Sequence, residues 1–154
     1  MKTKKILLIL LALLLVSPVM HSQKSVNQLF NEFSKEKGVI HVNVGNITMT
    51  IASLFTDLMG VRGVEVYSFD ECDQSVKERI NSAIAALKDE KYETVVSVNE
   101  EKERTKILMK LKDESIREIV VLTSGDEPAM IRIKGKIKPS DIEKVINNNK
   151  SGKE

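Results

Sequence analysis

The sequence predicts an α+β protein, a two-layer sandwich in which helices cover one face of a mixed, mostly antiparallel sheet and the other face meets solvent. Two observations lead to this class. In the first half of the chain, segments with apolar residues at helical spacing alternate with short segments of strand-like spacing. From Tyr92 onward the apolar period is two over four successive segments, and the short connections between them favour a four-strand antiparallel meander.

The domain is expected to begin with a helix over residues 25–37 and a strand over residues 39–44. The helix has Gly38 as its C-terminal stop, and His41 and Asn43 lie on the polar side of the strand. Apolar residues at positions i, i+3, i+4 and i+7 define the helix: Val26, Leu29, Phe30 and Phe33.

A second helix is expected over residues 46–59 and a second strand over residues 61–69. Because the first two strands are joined through a helix, we expect them to run parallel to a neighbour. This parallel pairing is what would make the sheet mixed.

The third helix has the clearest start, because Ser75 and Glu78 form a Ser-x-x-Glu capping box. Ser140 and Glu143 repeat this pattern after Pro139 and predict a short last helix. Between these two helices lie the four strands of the meander, over residues 92–98, 105–111, 116–123 and 129–137.

Residues 1–22 have the pattern of a secretory signal peptide. Three lysines precede an uncharged apolar run of eleven residues, 6–16, and Ser22 is the small residue before the expected cleavage. The run is shorter than the roughly 18 residues that a membrane-spanning helix requires. We therefore expect a periplasmic or secreted protein without a transmembrane anchor after leader removal, with a single α+β domain over residues 23–146 and a flexible polar tail over residues 147–154.

Composition argues against nucleic-acid binding. The full chain carries 24 Lys and Arg residues and 22 Asp and Glu residues, and three of the lysines belong to the leader. The rest of the chain has 21 basic and 22 acidic side chains, a formal charge of −1. Neutralising many phosphates at once requires a strongly basic surface, so nucleic acid is not an expected partner.

The residues that most enzymes use are scarce. His41 is the single histidine downstream of the expected cleavage, and the glycine patterns of hydrolase elbows, P-loops and dinucleotide sites do not occur. We therefore expect no catalytic residue, no metal site and no cofactor. Cys72, the only cysteine, lies among carboxylates that disfavour its thiolate, so we expect an inert thiol, with pairing between chains as the alternative.

Asp70, Glu71 and Asp73 form an acidic loop, the densest group of carboxylates in the chain. Oxygen-rich loops bind calcium, and an enzyme of unfamiliar type would need carboxylates that converge. The spacing lacks the Asp-x-Asp-x-Asp-Gly series of calcium loops, so solvated turn residues are the simpler interpretation. The acidic loop is the weaker of two candidate sites.

The stronger candidate is a basic face. Arg132, Lys134 and Lys136 alternate with apolar residues in the last strand, and Lys106, Lys110 and Lys112 do so in an earlier strand. Two such rows side by side would meet an anionic surface or an acidic envelope protein. The alternative is that these cations only keep exposed strands soluble and unpaired.

Four segments of the chain match one family pattern. They are the helix with Phe30 and Phe33, the strand and helix over residues 39–59, the strand over residues 61–69 with its acidic loop, and the closing stretch 119–142. The pattern resembles the family called domain of unknown function 4252, small exported proteins of Gram-negative bacteria. The resemblance implies an exported α+β domain associated with regulators of envelope stress, and it brings no established activity and no site residues.

These observations together favour an exported, non-catalytic interaction module of the cell envelope, linked to envelope-stress sensing. Its expected partner is an unknown envelope protein or an anionic surface. Two alternatives stay open: an enzyme that uses the acidic loop around Asp70, and a carrier of a small apolar ligand, which would need an enclosed cavity.

Overall fold

The computed structural model describes residues 24–43 and 60–144. The expected signal peptide, the expected helix over residues 46–59 and the expected polar tail lie outside the described residues. The elements in chain order are α1 (Val26–Phe33), β1 (Ile40–Asn43), β2 (Val61–Ser68), α2 (Gln74–Ala85), β3 (Glu93–Asn99), β4 (Glu103–Lys112), β5 (Ser115–Gly125), β6 (Ala129–Ile137) and α3 (139–144).

The six strands form one sheet in the order β1-β2-β6-β5-β4-β3, and every neighbouring pair is antiparallel. The predicted α+β class and the four-strand meander are confirmed, since β3 to β6 are consecutive in sequence and in space. The expected parallel pairing is wrong, because β1 pairs antiparallel with β2, from Ile40 opposite Ser68 to Asn43 opposite Glu65. β1 ends and β2 begins at the same end of the sheet, so their connection does not have to cross the sheet as a parallel pair requires.

Helices α1 and α2 pack on one face of the sheet, which we call the helix face. The prediction that all helices share one face does not hold for α3, which packs on the other face. Phe33 meets Phe69 edge to face with 6.2 Å between ring centroids, and Phe30 meets Tyr67 in the same way at 5.7 Å. The apolar stripes of both helices and the sheet residues beneath them form one buried cluster, which includes Val26, Leu29, Phe30 and Phe33 of α1, Val76, Ile80, Ala83 and Ile84 of α2, and Tyr67, Leu108, Val120, Leu122 and Met130 of the sheet.

The opposite face of the sheet is also apolar, which corrects the expectation that it meets solvent. Val64, Ile119 and Ile133 belong to a second buried cluster on this face, and Ile142 of α3 packs against it. The sequence 119–122 is apolar at consecutive positions, so β5 presents apolar side chains to both of its sides. A strand buried on two faces has this pattern, and strict alternation does not apply to it.

The helix starts differ from the predicted capping boxes. α2 begins one residue before Ser75, so Ser75 lies in its first turn and the predicted box with Glu78 does not cap the helix. α3 likewise begins one residue before Ser140. A capping box is found instead at α1, where Ser25 Oγ accepts from the Gln28 N–H at 3.2 Å and Gln28 Oε1 accepts from the Ser25 N–H at 2.9 Å.

Helix α1 ends at Phe33, earlier than predicted, and a turn leads from it to Gly38. Gly38 has a φ of +89°, and a Cβ atom at this position would lie 2.8 Å from the carbonyl oxygen of Glu71. Glycine is required here for both reasons. This close approach seats the acidic loop against the turn that follows α1.

Candidate interaction surface

Two rows of lysines lie on the solvent-exposed part of the helix face, one in β4 and one in β6. β5 runs between them, and its Glu118 is opposite Lys110 on one side and opposite Lys134 on the other. The other two lysines lie two residues further along their strands, and side chains two residues apart in a strand share a face. We call these four residues the basic patch: Lys110, which is half-buried, and Lys112, Lys134 and Lys136, which are exposed.

Arg132 does not belong to this exposed surface, which corrects the prediction that it lines the face beside Lys134. Its side chain is 7% exposed and lies under α1. The guanidinium stacks 3.9 Å from the Phe30 ring centroid, Nη2 donates to Asn27 Oδ1 at 3.1 Å, and Nε lies 3.0 Å from Glu118 Oε1. Arg132 therefore joins α1 to the sheet through a buried ion pair.

The contact between Arg132 and Glu118 is an ion pair and not an aligned hydrogen bond. The two atoms that approach to 3.0 Å have no partner with hydrogen-bond geometry among the described residues. Burial, followed by interactions with the Glu118 side chain, raises the pKa of Tyr92. The Tyr92 ring in turn lies 5.7 Å from the Lys110 ammonium. Tyr92 therefore lies between the buried ion pair and one lysine of the basic patch.

Lys106 has a structural contact of its own. Its Nζ donates to the carbonyl oxygen of Ile84 at 3.1 Å, in the last turn of α2. A cation at this position satisfies a helix carbonyl and complements the negative end of the helix dipole. Of the six cations in the two predicted rows, four lie in the basic patch: Lys110, Lys112, Lys134 and Lys136. The other two, Lys106 and Arg132, contact the helices instead.

The acidic loop is exposed at Asp70, Glu71 and Asp73. Asp73 precedes α2 without a side-chain capping bond, and the Asp70 N–H donates to Ser68 Oγ at 3.4 Å. Within residues 24–43 and 60–144 no group of three or more His, Cys, Asp or Glu side chains is arranged to hold a metal ion. The loop is a turn between β2 and α2 whose carboxylates point into solvent.

Cys72 is buried, whereas His41 is exposed. Cys72 is buried in the cluster under the helices, and burial first, then the charge of Glu36, raises the pKa of its thiol. His41 is exposed, and its ring lies parallel to the Tyr67 ring with 4.4 Å between centroids. Among the described residues, neither side chain has the neighbours that a nucleophile or a metal ligand needs.

A groove of about 490 Å³ runs between the end of α2 and the hairpin that joins β3 to β4. Asn81, Ser97, Lys102 and Arg104 are among its lining residues. A second groove, of about 330 Å³, lies beside Tyr92. Both grooves are open to solvent and carry charged side chains on their walls, unlike the enclosed apolar cavity that a carrier of an apolar ligand needs.

Sequence reasoning missed the partners of Arg132. Glu118 is the one acidic residue in the stretch 116–122, which is apolar apart from Glu118 and Arg117, and a lone carboxylate in such a stretch indicates a buried ion pair. Asn27 and Phe30 come from α1, more than 100 residues away in sequence, and no local pattern brings them to Arg132.

The fold and the patch define an α+β protein with an open antiparallel sheet, two helices on one face, and a group of cations on the part of that face that the helices leave exposed. The chain belongs to the family described as a domain of unknown function (DUF4252), whose model matches residues 31–145. Comparisons with curated proteins and with solved structures gave no match. In the described part of the chain no helix has the length and apolar character needed to cross a membrane.

Proposed function

We propose that the protein is an exported, non-catalytic module that binds an acidic segment of another cell-envelope component through its basic patch, and that this binding serves envelope-stress sensing. The leader-like residues 1–22 support export. The binding proposal rests on four lysines that lie on either side of β5. The carboxylate between them, that of Glu118, is already paired with Arg132.

The spacing of the patch suits an extended polypeptide. Neighbouring strands lie about 4.8 Å apart, so Lys110 and Lys134, one strand removed from each other, are about 10 Å apart at the backbone. Along each strand, lysines two residues apart are about 7 Å apart, which is also the spacing of alternate side chains in an extended chain. Carboxylates at every second position of an acidic segment would therefore match each row.

The acidic residue between the two lysine rows does not neutralise the lysines of the basic patch. Glu118 lies between the two rows, and its buried carboxylate is paired with Arg132. The four ammonium groups therefore produce a positive potential that attracts acidic partners and weakens with salt.

The position of the patch favours an acidic segment over a flat bilayer. α1 and α2 pack on the same face, and a helix with its side chains is about 10 Å in diameter. The lysines thus lie beside a step formed by the helices. A narrow chain fits along the sheet at the foot of this step, whereas a flat surface meets the helices first.

The test measures binding of a fluorescein-labelled oligoglutamate peptide by fluorescence anisotropy. A variant with all four patch lysines changed to glutamine should bind about tenfold or more weakly, since each exposed charge pair contributes a fraction of a kcal/mol. The matched control changes four exposed lysines elsewhere to glutamine, which alters the net charge equally: Lys35, Lys37, Lys88 and Lys91.

The control should retain most of the affinity of the unchanged protein. Equal weakening in both variants, or no binding by the unchanged protein, would contradict the proposal. Vesicles with and without phosphatidylglycerol form a second arm. Binding to the anionic vesicles that depends on the patch, together with no binding of oligoglutamate, would replace the acidic segment by a lipid surface.

A further inference from the structure

Strand β3 is an edge of the sheet that no other described element covers. It is the last strand in the order β1-β2-β6-β5-β4-β3, and all seven of its residues are exposed. Val95, Val96 and Val98 are 52%, 36% and 45% exposed. Edge strands are usually protected by lysine or proline, and β3 contains neither. The other edge, β1, has four residues within the described part of the chain.

The hydrogen-bonding direction of each β3 residue follows from the hairpin. The Glu100 N–H donates to the Glu103 carbonyl at 2.8 Å, so Glu100 faces β4. Backbone groups alternate in direction along a strand, so those of Val98 and Val96 also face β4. The N–H and C=O groups of Ser97 and Asn99 therefore point away from β4, toward the open edge.

We infer that this edge binds the β3 strand of a second copy of the chain, antiparallel and about a two-fold axis at Ser97. An axis at Ser97 is favoured because the residues on either side of it, Val96 and Val98, are both apolar and become partners across the two-fold contact. Ser97 then lies opposite its own copy, and the backbone groups of the two serines exchange hydrogen bonds. Val96 of each copy lies opposite Val98 of the other. Residues 95–99, which pair with one another about this axis, carry no charge, so this stretch sets no like charges opposite each other.

The same pairing covers apolar surface. Val96 is opposite Ile107 of β4, which packs against the cluster on the sheet face away from α1 and α2. Val98 lies two residues further along, on that same face. The two-fold contact brings both valines of each copy side by side and extends the apolar face from one sheet into the next.

The register shift between Thr94 and Val96 limits the regular part of the edge to 96–99. β-bulges of this kind shorten the stretch that can add a strand. The expected dimer is therefore weak and depends on protein concentration, and its test must cover a wide concentration range.

Analytical ultracentrifugation from low micromolar to millimolar protein should show a monomer–dimer equilibrium. Ser97→Pro removes an N–H that points to the open edge and leaves the ladder to β4 intact, so this variant should remain folded by circular dichroism and stay monomeric. Ser97→Ala keeps the N–H and should dimerise like the unchanged protein. Val98→Lys, at a residue that is 45% exposed, is a second disrupting change that does not alter the backbone.

A protein that stays monomeric at every concentration would overturn the inference. A dimer that persists in both Ser97→Pro and Val98→Lys would also overturn it, because the contact would then lie elsewhere. The register is tested by disulfide formation, since Val96→Cys mixed with Val98→Cys should cross-link under mild oxidation faster than either variant alone. Equal rates in the mixture and in the separate variants would rule out this register.

Discussion

Replacement of Arg132 by methionine should reduce the free energy of unfolding by about 3–5 kcal/mol, the usual effect of removing one partner of a buried ion pair. Arg132 is 7% exposed and Glu118 is 8% exposed. At 3.0 Å and an effective dielectric constant of about 20, their attraction is about 5 kcal/mol. The cost of taking both charges out of water offsets much of this attraction in the native protein. Without Arg132, the carboxylate of Glu118 still bears that cost and has lost the attraction.

The assay is equilibrium unfolding in urea. Lys134→Met is the matched control, because Lys134 lies two residues further along β6 and is exposed, and its change should stay within about 0.5 kcal/mol. The double variant Arg132→Met, Glu118→Gln removes the unpaired charge and keeps a side chain of nearly the same shape, so it should be more stable than Arg132→Met alone. A loss at Arg132→Met no larger than that at Lys134→Met would refute the buried pair.

Two further predictions concern stability. Because the pKa of Tyr92 is raised in the folded protein, the stability that depends on a neutral Tyr92 is present below about pH 10 and is lost as the pH rises above it. The free energy of unfolding should therefore fall at alkaline pH less steeply in Tyr92→Phe than in the unchanged protein, and identical slopes would contradict this. Ser25→Ala should cost about 1 kcal/mol in urea unfolding because it removes the cap of α1, whereas Ser75→Ala should cost less, since Ser75 does not cap α2. A larger loss at Ser75 would show that the cap assignment is wrong.

Local patterns predicted most elements of the fold. The strand at Ala129–Ile137 lies where its alternation of apolar residues places it, and the meander follows from the short connections. The direction of β1 and β2 could not be obtained in this way, because it depends on the end of the sheet at which a long connection returns. The sequence pattern also did not show that the second sheet face is apolar. Residues 119–122 are apolar at every position, so no alternation distinguishes the two sides of β5.

The candidate surface was predicted in part. Alternation correctly placed Arg132, Lys134 and Lys136 on one side of β6, but it does not tell which part of that side a helix covers. α1 crosses the sheet at Arg132 and leaves the next two cations exposed. The role of Lys106 depends on where α2 ends, which is likewise a tertiary property.

The capping boxes show the limit of short motifs. Ser75 and Glu78 have the right spacing, yet α2 starts one residue earlier, so the serine lies within the first turn. Ser25 and Gln28 have the same spacing and do form the box. Whether the serine caps the helix depends on which residue is the first helical one, and the motif does not determine that residue.

Nuclear magnetic resonance of the ¹⁵N-labelled protein during titration with oligoglutamate tests the proposed binding surface most directly. Binding at the basic patch should concentrate the amide shifts at Lys110, Lys112, Lys134 and Lys136 and at the residues between the two rows, and added salt should reverse the shifts. Shifts centred on the acidic loop, on β3 or on the outer surface of α2, with the patch unchanged, would contradict it.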